Sequence, residues 1–162
     1  RPAGGSLTEA MRIDSSGRVT KPNQPAFNAY YSGDGSSYTV AGGGGVVVFN
    51  ATRFNTGTHY STSTGRFTAP IAGVYQFSVI TFCYNSGQLG AAATATIYLR
   101  LNGSNHQNMS YVYNASTTSY SPGNGTTVLK LNASDYVDIH TSFGVYTDSS
   151  NSYLNFTGHL IG

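Results

Sequence analysis

Residues 49–77 read FNATRFNTGTHYSTSTGRFTAPIAGVYQF, and the reading of the whole chain turns on them. Phe49 is followed after five residues by Asn55, after four more by Tyr60, after six by Phe67 and after five by Gly73. Gly73 then opens the alternation Gly73-x-Tyr75-x-Phe77. The intervening residues are mostly small and polar, as in short strands joined by turns. Asn55-Thr56-Gly57 and Ser63-Thr64-Gly65 carry turn chemistry, because glycine tolerates positive φ and asparagine bonds its own backbone. Pro70 and Gly73 bracket another turn. From Val74 to Tyr84 the residues are mostly β-branched or aromatic, which predicts a central strand.

Working outward, the pattern stays that of strands and turns. Phe27 to Tyr31 predicts a first strand, and Ser32-Gly33-Asp34-Gly35-Ser36 a loop whose far arm is Gly42 to Gly45. Val46-Val47-Val48-Phe49 is a buried run. Residues 94–101 alternate, with Ala95, Ile97, Leu99 and Leu101 on one face and Thr96, Tyr98 and Arg100 on the other. Asn102-Gly103 is a strong hairpin signal, and residues 105–113 pair back. Residues 114–125 read as a long polar loop. Residues 127–131 and 136–143 read as strands around Asn132-Ala133-Ser134-Asp135, and residues 153–161 close the sheet. No stretch has helical periodicity. The fold class is all-β. Because successive antiparallel strands reverse direction, the loops at 32–45, 85–92, 114–125 and 145–152 fall at one end. The tight turns fall at the other, with both termini.

The spaced series resembles the signature of the complement C1q globular head, within the C1q/tumour necrosis factor superfamily. Phe49, Asn55, Tyr60, Phe67, Gly73, Tyr75 and Phe77 occupy signature positions; Val79 stands where the family has an aromatic. Phe156-Thr157-Gly158-His159-Leu160-Ile161 is similar to the family's closing strand, and Pro25-Ala26-Phe27-Asn28-Ala29-Tyr30 to its opening one. The resemblance covers residues 23–162. It implies a ten-strand jelly-roll sandwich that assembles as a homotrimer. It also implies that Phe49, Asn55, Tyr60, Phe67, Gly73, Tyr75, Phe77, Phe156, Gly158 and Ile161 serve the core or the trimer. Residues 1–22 differ. Met11-Arg12-Ile13-Asp14-Ser15-Ser16-Gly17 resembles a strand-turn element found before C-terminal domains of phage tail fibres. The other reading of that stretch is a plain hairpin linker. We therefore expect a shaft or neck segment at 1–22 and a jelly-roll domain at 23–162, within a longer protein since the chain begins without Met.

Composition narrows the function. Charged residues are 9% of the chain, against a usual ~25%. Yet 13 Tyr and 8 Phe make disorder untenable. A net charge of +2 without a basic cluster gives nucleic-acid binding little support. No apolar run approaches the ~18 residues of a membrane span. Cys83 has no partner cysteine in the chain and reads as a buried thiol on the face of Tyr75, Phe77, Val79 and Thr81.

No catalytic or zinc motif occurs. Asp138 and His140 share a strand face, as an acid-oriented base would, but the commoner meaning is a solvated cross-strand pair; we expect no enzyme. Asp34 and Asp148 have oxygen-rich neighbours, and some family members carry Ca²⁺ near the trimer top, but neither loop has the acidic density of a calcium site, so no cofactor is expected. Asn50, Asn102, Asn108, Asn114, Asn124, Asn132 and Asn155 each open an N-x-S/T triplet. Asn50 and Asn155 adjoin signature core residues, where a glycan would clash, which favours a phage or bacterial origin. The reading that results is a homotrimeric tip domain of a virion fibre that binds a host-surface glycan or protein through its long loops. Asn85, Gln88, Tyr113, Tyr120, Tyr146 and Asp148 are the candidate contacts, since tyrosine stacks and amides hydrogen-bond. The alternatives are a non-binding trimerisation cap and a secreted lectin-type protein.

Overall fold

The computed structural model describes residues 9–33, 44–84, 93–114, 120–142, 144–145 and 154–162. Among them lie thirteen strands and no helix. In chain order these are β1 (Arg12–Ile13), β2 (Val19–Thr20), β3 (Ala26–Tyr30), β4 (Gly45–Val46), β5 (Ala51–Thr56), β6 (Tyr60–Ser61) and β7 (Arg66–Thr68). The series continues with β8 (Gly73–Tyr84), β9 (Ala93–Leu101), β10 (Ser104–Asn114), β11 (Tyr120–Leu131), β12 (Tyr136–Thr141) and β13 (Asn155–Leu160). One sheet has the order β11-β8-β13-β3-β5 and the other β10-β9-β12-β7-β6, with β4 also paired to β12. The all-β sandwich expected from the sequence is present; among the described residues eleven strands make up its two sheets, β4 and β6 being only two residues long.

The spaced aromatics meet between the sheets. Phe27, Phe49, Tyr60, Phe67, Tyr75, Phe77 and Phe156 are buried side by side. Phe27 stacks on Tyr60 and Phe67 at centroid distances of 4.8 and 5.1 Å and meets Phe156 edge-on at 5.0 Å. Phe67 in turn lies 5.5 Å from Tyr75 and 5.6 Å from Phe77. Each ring pair adds about 0.5–1.5 kcal/mol beyond its buried area. The polar ends of these rings are satisfied: the Tyr60 hydroxyl donates to the Phe49 carbonyl at 3.1 Å and the Tyr75 hydroxyl to the Ile71 carbonyl at 2.9 Å. Burial pushes the Tyr60 phenol far above its ordinary range. Asn55 has a different task. Its side chain donates to the Tyr60 carbonyl and accepts from the Tyr60 amide, closing the turn through Gly57 and Thr58.

Gly158 sits in β13 between Phe27 on β3 and Phe77 on β8. The two rings fold over it: a Cβ there would lie 2.6 Å from Phe27 Cε1 and 2.6 Å from Phe77 Cδ1. Gly73 likewise yields its space to Leu160. Val79, in the slot where an aromatic was expected, is fully buried. Asn102 and Gly103 both have positive φ, 50° and 83°, as the two-residue hairpin turn requires.

Two expectations are corrected. The polar stretch 114–125 is not one loop: Asn114 ends β10, and Tyr120 to Gly125 belong to β11, paired residue by residue with β8. Ile161 is not in the protomer core; it is 48% exposed beside the C-terminus. Ahead of the sandwich, β1 and β2 form a small hairpin. Asp14 organises its turn, accepting from the backbone of Ser16 and Arg18 and from the Arg18 guanidinium at 2.7 Å. Those donors hold the Asp14 carboxyl below its ordinary value.

Replacing Gly158→Ala should cost about 1–3 kcal/mol in chemical denaturation, because the added methyl overpacks two buried rings. Thr157→Ala, on the outer face of the same strand, serves as the control and should cost clearly less.

Candidate functional site

Strand register fixes which ends of the strands gather together. Tyr84 pairs with Tyr120, and Asn114 with Ala93. Asn155 pairs with both Ile80 and Tyr30, and Thr141 with Gly45. Close approach of Gly123 to Ile97 and of Gly125 to Met109 aligns the two sheets along the β10–β11 side. All these strand ends therefore share one pole of the sandwich. From them the chain leads into residues 34–43, 85–92, 115–119 and 146–153. The Asn102-Gly103 turn, the Asn132–Asp135 turn, the start of β3 and the C-terminus occupy the opposite pole.

Of the residues singled out from the sequence, Tyr113 lies on β10 near the first pole and is 59% exposed. Tyr120 opens β11 opposite Tyr84, and its side chain lies outside the described residues. Asn85, Gln88, Tyr146 and Asp148 also lie outside them, as do Asp34 and the side chain of Cys83. Tyr111 was missed. It is 66% exposed and shares the outer face of β10 with Tyr113, while Val112 between them is buried. The signal was available: Tyr111-Val112-Tyr113 alternates, and a buried centre puts both rings outside. Among the described residues no three His, Cys, Asp or Glu side chains gather where they could hold a metal ion.

The charged chemistry lies elsewhere. Asp138 on β12 pairs in register with Arg100 on β9 and with Arg66 on β7. Rather than a solvated group, its carboxylate is fully buried under the two guanidiniums. Arg100 Nε donates to Oδ1 at 2.7 Å and Arg100 Nη2 to Oδ2 at 3.0 Å, while Arg66 Nε reaches Oδ2 at 3.3 Å. These hydrogen bonds raise the Arg100 guanidinium above its ordinary value. Arg66 also lies over the Tyr136 ring, 4.4 Å from its centroid. Both carboxylate oxygens are committed to arginine, so Asp138 does not orient His140 as a base. The His140 Nδ1 is buried and has no hydrogen-bond partner among the described residues. Desolvation and, after it, the Arg100 charge hold His140 below its ordinary value, partly opposed by Asp138.

Comparison with known proteins follows the same lines. The family model of the C1q domain matches residues 26–161. Complement C1q tumor necrosis factor-related protein 6 of Rattus norvegicus is 28% identical over 120 residues, covering 71% of this chain and 42% of that protein. Complement C1q tumor necrosis factor-related protein 7 of Mus musculus is 27% identical over 120 residues, covering 71% of this chain and 38% of that protein. The chain thus spans less than half the length of these relatives. The globular domain of zebrafish complement 1qA superposes with a TM-score of 0.58 at 20% identity, over 86% of this chain and 98% of that one. Murine APRIL superposes at 0.61 with 8% identity, over 85% of this chain and 99% of that one. At such identities the structural likeness speaks for the fold.

Removing the central carboxylate by Asp138→Ala strands the largely buried Arg100 charge and should lower stability by about 3 kcal/mol in urea denaturation. His140 gives a second expected outcome. The fold disfavours its protonated form, so below its ordinary value of 6.5 the unfolded chain takes up a proton that the folded chain resists. Its contribution to stability is complete above that value and is lost as pH falls toward the depressed folded value. Comparing melting temperatures at neutral and mildly acid pH, the acid-side loss should shrink in His140→Gln.

Proposed function

The chain belongs to the C1q-domain family, and from that premise we propose that it is the trimeric recognition head of a longer extracellular polypeptide, a virion fibre. In this reading it binds a host-surface glycan with the pole that bears residues 34–43, 85–92, 115–119 and 146–153. C1q/TNF-like domains are generally trimeric and bind partners. The observation that carries the reading is the separation of the two poles. Every strand end leading into a long connection lies at one, and the entry to β3 and the C-terminus lie at the other. A carrier attached upstream of β3 then holds the long connections outward on a rigid scaffold, where binding residues concentrate.

The trimer contact in this reading is the outer face of the five-stranded sheet. Phe54, Ile80 and Val128 are exposed there, a share of apolar surface that three copies bury together. The β1–β2 hairpin supports the fibre as carrier, through its likeness to the phage strand-turn element. The triplet asparagines support it too. The Asn50 side chain both donates to and accepts from the Ser32 backbone, and the Asn155 side chain donates to Asn28. A glycan on either would replace one hydrogen of an Nδ2 that already donates. A secreted C1q-like binding protein is the second reading, favoured by the rat and mouse relatives.

The test is light scattering of the purified protein followed by binding of labelled trimer to intact bacteria from a host panel. Saturable binding that falls at least about tenfold in Tyr111→Ala/Tyr113→Ala, the loss of about 1.4 kcal/mol or more, supports the recognition head. A monomer in solution overturns the trimer. An intact trimer that binds nothing assigns the domain to capping the fibre.

A further inference from the structure

The outer face of the six-stranded sheet, away from both the proposed trimer contact and the pole of long connections, carries a set of donors that the fold does not use up. Arg66 engages Asp138 only through Nε, and its side chain is 43% exposed. Its two terminal nitrogens have no hydrogen-bond acceptor among the described residues. The Tyr136 ring beneath fixes the plane of the guanidinium. The terminal edge, which matches a carboxylate in two parallel hydrogen bonds, is therefore left uncommitted on a partly exposed side chain. Arg100 spends Nε and Nη2 on Asp138 and keeps Nη1.

The charges on this face do not cancel. Two guanidiniums share one carboxylate, which leaves an excess of one positive charge. His140 adds little to it, because the fold disfavours its charged form. Asp135, next to Tyr136 in the chain, is occupied by the Asn102 side chain and the Asn132 amide at the turn. Beside Arg100, on β10, stand neutral hydrogen-bonding groups. Asn105 pairs in register with Arg100, and Asn108 with Tyr98, so both share the arginine face. Both are exposed, and their side-chain amides have no partner among the described residues.

We propose that Arg66, Arg100, Tyr98, Asn105 and Asn108 form a binding site for an acidic sugar on this face, with Arg66 clasping its carboxylate and the two amides its hydroxyls. The site is formed by strand residues alone and stands whether or not the loops at the pole bind a receptor. Preorganisation distinguishes it from an ordinary surface arginine: Asp138 and Tyr136 already hold Arg66 in place, so little side-chain freedom remains to be lost on binding.

Amide and arginine Nε signals of the whole chain are followed by NMR during titration with methyl β-glucuronide, methyl β-glucoside and acetate. The expected result is saturable shifts at Arg66, Asn105 and Asn108 with the glucuronide, and at least about tenfold weaker responses to the other two, as for loss of a charge-assisted hydrogen-bond pair. Arg66→Gln should abolish the response while leaving the rest of the spectrum in place, and Arg66→Lys should restore part of it. No saturable shift with the glucuronide overturns the site. An equal response to acetate overturns sugar recognition, an equal response to the glucoside overturns the charge pairing, and an unchanged response in Arg66→Gln overturns the assignment of the residue.

Discussion

Seven aromatic rings in contact are the constraint that the rest of this molecule obeys. They come from β3, β6, β7, β8 and β13 and from Phe49, just ahead of β5. Strands from both sheets must therefore be in register before the cluster can close. The two rings over Gly158 show how strict that is. The middle of β13 must be without a side chain, because Phe27 and Phe77 reach across from either side. Rings that cover a glycine on neighbouring strands pin those strands against sliding, since a slip of one residue would turn the slipping strand's own ring outward.

This dependence explains what was legible in the chain. Phe49, Tyr60, Phe67, Tyr75 and Phe77 carry the resemblance to the C1q signature that implied the sandwich, and all five meet in its core. The Asn102-Gly103 turn was equally readable, because its chemistry is local. The stretch Ser121-Pro122-Gly123-Asn124-Gly125 was misread for the opposite reason: its glycines are not there for a turn. Gly123 and Gly125 let β11 press against Ile97 and the Met109 backbone of the facing sheet, and a Cβ at either would collide. Pro122 is tolerated because β11 is an edge strand. Nothing in the local sequence separates a glycine needed for close packing from one needed for a turn.

The candidate site was legible only in part. Tyr113 was named as a stacking tyrosine bordering a long connection, whereas Tyr111, exposed by the same alternation, was passed over. The burial of Asp138 could not be foreseen, because its partners lie 38 and 72 residues away in the chain. A carboxylate on a strand face is solvated or buried according to what its neighbouring strands carry, and strand order is a property of topology. Here β12 lies between β9 and β7, and both contribute arginine. So few charges in the chain make each placement count: three of the fourteen Asp, Glu, Lys and Arg residues meet at this one point.

The separation of the poles also has a mechanical side. β3 enters at one pole and is hydrogen-bonded along both flanks, to β13 and to β5. A pull between the upstream segment and the far pole runs along this strand, not across it. Its ladders are then loaded in shear, where the hydrogen bonds on both sides bear the force together instead of parting one after another. Phe27, stacked beneath the same strand, would have to be drawn from the ring cluster before β3 could move. The strand by which the domain would be tethered is thus held on both flanks and by a ring in the core.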